Sequence, residues 1–257
     1  MNKDLKVLHH RSKERIKGLG EVFTPDLHVE KMMNLLGKKD AKVWSDLNIS
    51  FFEPTCGHGN FVTQLFKQRV LALFKSELRD GTKAAALSAI ANSINTLWAI
   101  DIDLQNVNEC RSRILKFSLA FLCEKLKLSP TNLINEDVDF YAHLLCAIRW
   151  HIDENEALSA LSNGDEAFQN ASKTKFGRNW IQGNGHNHLD FDLSWTAYYK
   201  QCEIEGLTSL LYEDATKLLT SLTSGQRRQN SNFDFALKVL QDQNVSNYIS
   251  NLVDIGA

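Results

Sequence analysis

The run Phe52-Glu53-Pro54-Thr55-Cys56-Gly57-His58-Gly59-Asn60-Phe61 constrains this chain more than any other stretch. A short apolar segment, Ile49 to Phe52, ends in an acid, passes through Gly-x-Gly and enters an apolar helical pattern over 62–78. That order predicts a buried strand, a tight turn and a helix, the nucleotide-type corner of a doubly wound α/β sheet. Glycines let the backbone approach a ligand, and the start of the helix offers N–H groups without intrahelical partners. A lone Gly-x-Gly also marks an ordinary turn, so its surroundings must decide. The dinucleotide version wants a third glycine, and Val62 stands in its place. It also wants an acid about 20 residues onward, whereas Asp101 follows Gly59 by 42 residues. A dehydrogenase reading fails on both counts.

Thr96 to Ile100 reads as a second strand, ending at Asp101-Ile102-Asp103. Glu53 before the turn and Asp101 after this strand suit S-adenosyl-L-methionine (SAM). One carboxylate can receive the ammonium of its amino-acid end, and the other can accept from both ribose hydroxyls. The plainer role for Asp101 is a helix N-cap, which Asp103 could equally supply.

The rest of the chain fits an α/β domain with helical insertions. Thr24-Pro25-Asp26 opens a helix that Gly37 should stop, with Thr24 as cap and Pro25 at the first helical position. Helices are predicted at 83–94, after Asp103 (Val107, Cys110, Ile114, Phe117 and Phe121 recur at three and four) and at 136–150. Residues 155–179 turn polar without a period and read as an irregular connection. Trp180-Ile181-Gln182 and Leu189 to Leu193 read as strands, and 206–222 and 232–240 as helices. Trp98, Trp150, Trp180 and Trp195 read as core.

At 257 residues, 43% hydrophobic and 23% charged, the chain can bury one large domain or two small ones. A net charge of −2 excludes coating nucleic acid by charge alone. Any such contact must be local, and the basic segment 3–17 (Lys3, Lys6, Arg11, Lys13, Arg15, Lys17) is the candidate. It reads either as a solvated terminus or as a phosphate-contacting arm, so we divide the chain into an arm, 1–17, and a domain, 18–257. No apolar run matches the ~20 residues of a membrane span, and the first residues lack a signal-peptide apolar core. Five cysteines without a C-x-x-C pair point to free thiols in a reducing cytosol. His186, His188, Asp190 and Asp192 alternate as metal ligands on a strand can, but no further His/Cys cluster completes a site, and no metal is expected.

These blocks resemble the adenine-N6 DNA methyltransferases of restriction–modification systems, in the order that begins with the amino-acid-binding motif. Gly20-Glu21-Val22-Phe23-Thr24-Pro25 is similar to the opening motif, and Glu53 to Phe61 to the Asp/Glu-Pro-x-Cys-Gly-x-Gly-x-Phe cofactor loop. Ala99 to Asp103 with Asn106, Val107, Cys110 and Arg111 is similar to the ribose motif and its helix. Ile181-Gln182-Gly183-Asn184 is similar to the third motif, with Asn184 where the family usually has Asp. The likeness covers roughly residues 15–66, 97–116 and 178–192.

The resemblance implies a Rossmann-like SAM-dependent methyltransferase fold acting on DNA in the cytoplasm of a bacterial or phage-infected cell. It implies cofactor contacts from Phe23, Thr24, Pro25, Glu53, Thr55, Cys56, Gly57, Gly59, Asn60, Phe61, Asp101, Ile102 and Asn184. Cys56 would be a small packing residue beside the cofactor. The family's catalytic Asn/Asp/Ser-Pro-Pro-Tyr/Phe loop has no counterpart, because Pro25, Pro54 and Pro130 are the three prolines and no two adjoin. No catalytic residue is therefore assigned, and the C-terminal part reads as truncated or degenerate, without a target-recognition domain. Two functions stay open. One is a DNA methyltransferase, or its cofactor-binding part, completed by a second polypeptide. The other is an inactive methyltransferase-like module that works through SAM or a protein partner.

Overall fold

Three parallel strands lie in the order β1 (Phe51–Glu53), β2 (Leu97–Asp101), β3 (Ile152–Glu154). This computed structural model describes residues 24–162, 164–184, 188, 189, 191, 194, 195, 239 and 245–254. Parallel neighbours need long crossovers, and helices supply them. Ahead of β1 lies α1 (Asp26–Lys39). Between β1 and β2 run α2 (Asn60–Glu77) and α3 (Thr82–Asn95). Between β2 and β3 run α4 (Leu104–Leu126), α5 (Pro130–Glu136) and α6 (Val138–His151). Then follow α7 (Ala157–Leu161), α8 (Gly164–Ala171), α9 (Lys175–Asn184) and α10 (Val245–Val253). The chain is thus a mostly helical α/β protein with a small parallel sheet. Among the described residues no helix is long and apolar enough to cross a membrane.

Register decides which side chains share a face. Phe52 lies opposite Trp98, Ala99 opposite Ile152, and Asp101 opposite Glu154. Side chains alternate along a strand, so Glu53, Asp101 and Glu154 finish on one face while Phe52, Trp98, Ile100 and Asp153 share the other. The helices α3 and α6 bury most of their length, which suits their near-continuous apolar sequences.

A single arginine holds the approaches to β1 and β2. Arg69 on α2 is fully buried. Its guanidinium donates to the carbonyls of Val43 (3.1 Å), Trp44 (3.5 Å), Asp46 (2.8 Å) and Ile49 (3.1 Å), and to the Thr96 hydroxyl (2.8 Å). Ile49 precedes β1 and Thr96 precedes β2, so one planar fork of donors fixes both strand starts. On the opposite sheet face the Trp98 ring packs 4.2 Å from His151, and Phe191 meets Trp98 and Phe52 edge-on. His151 Nε2 accepts the Trp195 backbone N–H at 3.0 Å, and His143 Nδ1 accepts the Trp195 indole N–H at 3.4 Å.

The first half follows the sequence pattern within a few residues. Helix α1 runs through Gly37 to Lys39, and its N-cap is Pro25 rather than Thr24, with no side-chain cap. The helix expected at 136–150 is α6, which starts at Val138 and is preceded by the separate short helix α5. The larger corrections lie beyond residue 150. The connection expected to be irregular contains α7, α8 and the first half of α9. Trp180-Ile181-Gln182 lies inside α9 and is not a strand. Trp180 is buried while Gln182, Gly183 and Asn184 are exposed, a helical one-sided pattern. Leu189 lies in an irregular segment and Phe191 in a turn, so neither is in a strand. All four tryptophans expected in the core are buried. The basic arm 1–17, Phe23, His186, Asp190, Asp192 and residues 206–222 lie outside the described residues.

Candidate functional site

The ends of β1 and β2 carry a rim built mainly by backbone geometry. After Glu53 the chain turns back so that the Cys56 N–H donates to the Ile100 carbonyl at 2.8 Å, and the Gly59 N–H to the Cys56 carbonyl at 2.9 Å. Gly57 (φ +51°) and Gly59 (φ +88°) adopt the left-handed region, which residues with a Cβ rarely enter. Gly59 is needed for a second reason. A Cβ there would lie 2.6 Å from Cys110 Sγ and 3.0 Å from the Cys110 Cα, so the loop rests directly on α4. Among the described residues no side chain caps α2 behind this loop, so its first N–H groups have no side-chain acceptor there.

Asp101 is the hub of the rim. Its Oδ2 accepts the Gly57 N–H at 2.8 Å. Its Oδ1 accepts the Asp103 N–H at 2.9 Å and the Asn106 amide at 3.4 Å. A carboxylate offers about four lone-pair sites, so Oδ2 can still accept a hydrogen bond from a ligand. The alternative helix-capping role belongs to Asp103, whose Oδ1 accepts the Gln105 and Asn106 N–H groups. Glu53 Oε1 accepts from the Thr55 N–H (3.3 Å) and hydroxyl (3.4 Å). Burial, with Asp101 adding repulsion, nevertheless holds Glu53 above the ordinary glutamate range.

The opening segment reaches the same corner. The Asn60 amide donates to the Thr24 carbonyl at 3.3 Å, and Arg113 donates to the Asn60 Oδ1 at 2.6 Å. Pro25 and Thr24 are exposed beside this contact, Phe61 packs partly against the core, and Ile102 is half-buried. Cys56 is buried against Cys110, and that thiol neighbour together with burial pushes its own thiol far up. It is therefore a packing group whose reactive thiolate form is disfavoured.

Asn184 is the expected residue that the structure sets elsewhere. It ends α9, a helix packed on α7 and α8, and its amide donates to the Trp180 carbonyl within that helix. The third strand is β3 instead, and its tip brings Asp153, Glu154 and the buried Asn155 to the rim. The Asn155 N–H donates to the Asp101 carbonyl at 3.0 Å. The signal was present in Ile152-Asp153-Glu154-Asn155, an apolar residue followed by two acids and a turn former. Three residues directly behind a helix are too short for period counting.

Glu154 is also held above the ordinary range by burial and by Asp153, but two guanidiniums, Arg111 and Arg149, oppose that rise. No family model, curated protein or solved structure matches the chain.

Proposed function

We propose that the β1–β2 rim binds SAM and that the chain is the cofactor-binding part of an adenine-N6 DNA methyltransferase. Its fold in this reading is the Rossmann-like methyltransferase sheet, and its setting is restriction–modification or phage DNA modification in the cytoplasm of a bacterial or phage-infected cell. One observation carries the reading. Glu53 is desolvated beside a left-handed glycine loop with no cation of the described residues acting on it, and the loop ties it to Asp101. An ammonium from a ligand would supply the missing charge, and Asp101 has acceptor capacity for a ribose hydroxyl. Bound SAM would supply an electrophilic methyl on sulfur. The chain's own residues grip that donor: Glu53 by charge, Asp101 by hydrogen bonding, the glycine loop by close backbone approach.

The acceptor side is not assigned to this chain. In the resembled family the adenine leaves the duplex and its amino nitrogen attacks the methyl, with a Pro-Pro loop accepting the amino hydrogens. Here Pro130 is the first residue of α5, Pro25 caps α1 and Pro54 follows β1, so none stands in such a loop. A second polypeptide would contribute the catalytic loop and target recognition, and the arm 3–17 would add weak, salt-sensitive DNA contact. The same proline count favours the second reading for the isolated chain, a SAM-binding module that transfers nothing.

Calorimetry with SAM and S-adenosylhomocysteine tests the reading. Asp101→Ala should weaken both, since a lost charged hydrogen bond is worth about 1.5–3 kcal/mol. No heat at millimolar cofactor would end it. A radiolabelled methyl-transfer assay on mixed-sequence DNA then separates the two versions, and the chain alone is expected to be silent.

A further inference from the structure

Helix α4 meets the glycine loop and the start of α2 at two points on one face. Cys110 packs against Gly59. Arg113 follows three residues later, so it lies beside Cys110 on the helix surface. Its Nη1 donates to Asn60 Oδ1 at 2.6 Å, across 53 residues of sequence. One turn back, Glu109 Oε1 stands 3.6 Å from the other guanidinium nitrogen, Nη2. Arg113 and Asn60 are both half-buried.

An asparagine amide has two chemically different ends, an acceptor and a donor, whereas a guanidinium has donors alone. Arg113 can therefore meet Asn60 at its oxygen and not at its NH₂. With Oδ1 held in this way, the NH₂ is free to donate to the Thr24 carbonyl at 3.3 Å. The reversed amide would set NH₂ against the guanidinium and oxygen against a carbonyl. Arg113 thus selects the orientation that Thr24 needs. Directly behind Thr24, the Pro25 carbonyl accepts the His28 N–H (2.8 Å) and the Val29 N–H (3.2 Å), the first bonds of α1. Thr24 and Pro25 are exposed, and the buried residues of α1 begin at Val29. Core packing holds α1 from Val29 onward, and the Asn60 amide holds the chain ahead of it.

We propose that Arg113 is a positioning residue for the rim: acting through Asn60, it ties the opening segment at Thr24 to the glycine loop. The tie belongs to the chain without ligand. Its use in gripping SAM rests on the reading given above, in which the opening segment contacts the cofactor.

Two measurements on the full chain separate the tie from its use. Hydrogen exchange at the His28 and Val29 amides, without ligand, reads the tie, with the amides of β2 as the control for the whole fold. Asn60→Leu removes both polar ends and should speed exchange at 28 and 29 by about three- to tenfold, the worth of one hydrogen bond. Asn60→Asp keeps an oxygen for Arg113 and loses the donor to Thr24, so it should do the same, which bracing of α4 by Asn60 would not. Arg113→Met should also speed exchange, and Arg113→Lys, which keeps a donor, should restore part of the protection. In the Asn60→Leu background Arg113→Met should add nothing. Exchange unmoved by both Asn60 variants, or full additivity of Asn60→Leu and Arg113→Met, would overturn the proposal. Calorimetry with SAM reads the use: Asn60→Asp and Arg113→Met should each weaken wild-type binding about threefold or more. Binding that both variants leave unchanged would overturn the positioning role. Absence of heat with wild type ends the cofactor reading alone, because the exchange result decides the tie without ligand.

Discussion

The tips of β1 and β3 finish at the carboxyl end of the same sheet and carry their acids in different electrostatic settings. At β3, Glu154 and Asp153 face Arg111 and Arg149, so the protein offsets part of what it buries. At β1, Glu53 is desolvated, hydrogen-bonded among the described residues only to Thr55, and repelled by Asp101, with no guanidinium or ammonium of those residues in opposition. A protein that compensates one buried acid and leaves its neighbour uncompensated has placed a cost at the second. Binding of an external cation recovers it. The construction differs too: the β1 rim is backbone held by two left-handed glycines, whereas the β3 rim is side chains held by an arginine.

Breaking the β3 arrangement should have the largest effect. Arg111→Met removes a buried cation, leaves the Ile152 carbonyl without its donor and strands Asp153. The expected loss is about 3–5 kcal/mol, read by urea denaturation. Adding Asp153→Ala should recover part of it, and strict additivity of the two would show that they do not interact. Breaking the β1 arrangement should cost less stability and more ligand affinity. Gly59→Ala places a Cβ 2.6 Å from Cys110 Sγ at a φ of +88°, a strain of about 1–3 kcal/mol. Cys110→Ala in the same chain should restore only some stability, because the Cys110 Cα at 3.0 Å and the φ penalty both persist. Full recovery would show that the backbone conformation carries no cost.

The same contrast explains what was legible in the sequence. Gly57 and Gly59 announce themselves, because a positive φ demands a residue type, and the strand before them is followed by a helix with clear periodicity. A helix cap at Asp101 or Asp103 was legible from their place after a strand; that Asp103 is the cap, and that Asp101 holds the Gly57 N–H, was not. The third strand was hidden because Ile152 to Glu154 is short and starts where the α6 periodicity stops, while its support comes from Arg111, forty-one residues earlier. Likewise α7, α8 and α9 lack a long apolar stripe. They pack on each other, and Gly177 sits so close to Ala171 that a Cβ would lie 2.2 Å from its carbonyl oxygen. Tertiary packing, which has no local signature, selected helix over strand at Trp180.

Acid should loosen the β3 side first. His151 ends α6 immediately before β3, is fully buried, and is held down to about 3 by burial, with the Leu97 carbonyl opposing. Its folded value lies below the unfolded 6.5, so the unfolded chain binds the extra proton between those values. Stability conferred by the neutral ring is complete above about pH 6.5 and is lost as pH falls toward 3, by at most about 1.4 kcal/mol per pH unit. His151→Gln should flatten that slope in denaturation series taken across the window. A slope unchanged by the substitution would place the acid sensitivity elsewhere.

The smallest effect should come from Glu53→Gln, and its sign tests the uncompensated rim directly. The folded carboxyl is raised above 4.5 by burial, so the folded state keeps its proton to higher pH than the unfolded chain does. Glu53 therefore contributes most below pH 4.5, and that contribution is lost as pH rises through the raised value. At neutral pH the charged form is a burden, and Gln, which keeps the shape without the charge, should melt slightly higher than wild type. In acid the two proteins should melt together. Saturating SAM should reverse the neutral-pH order, because its ammonium meets a charge that only the wild type has, and SAM affinity in the wild type should fall as pH drops through the same raised value. A Gln variant that melts lower than wild type at neutral pH without ligand would show that some group of the protein already compensates Glu53. The electrostatic difference between the two rims would then vanish.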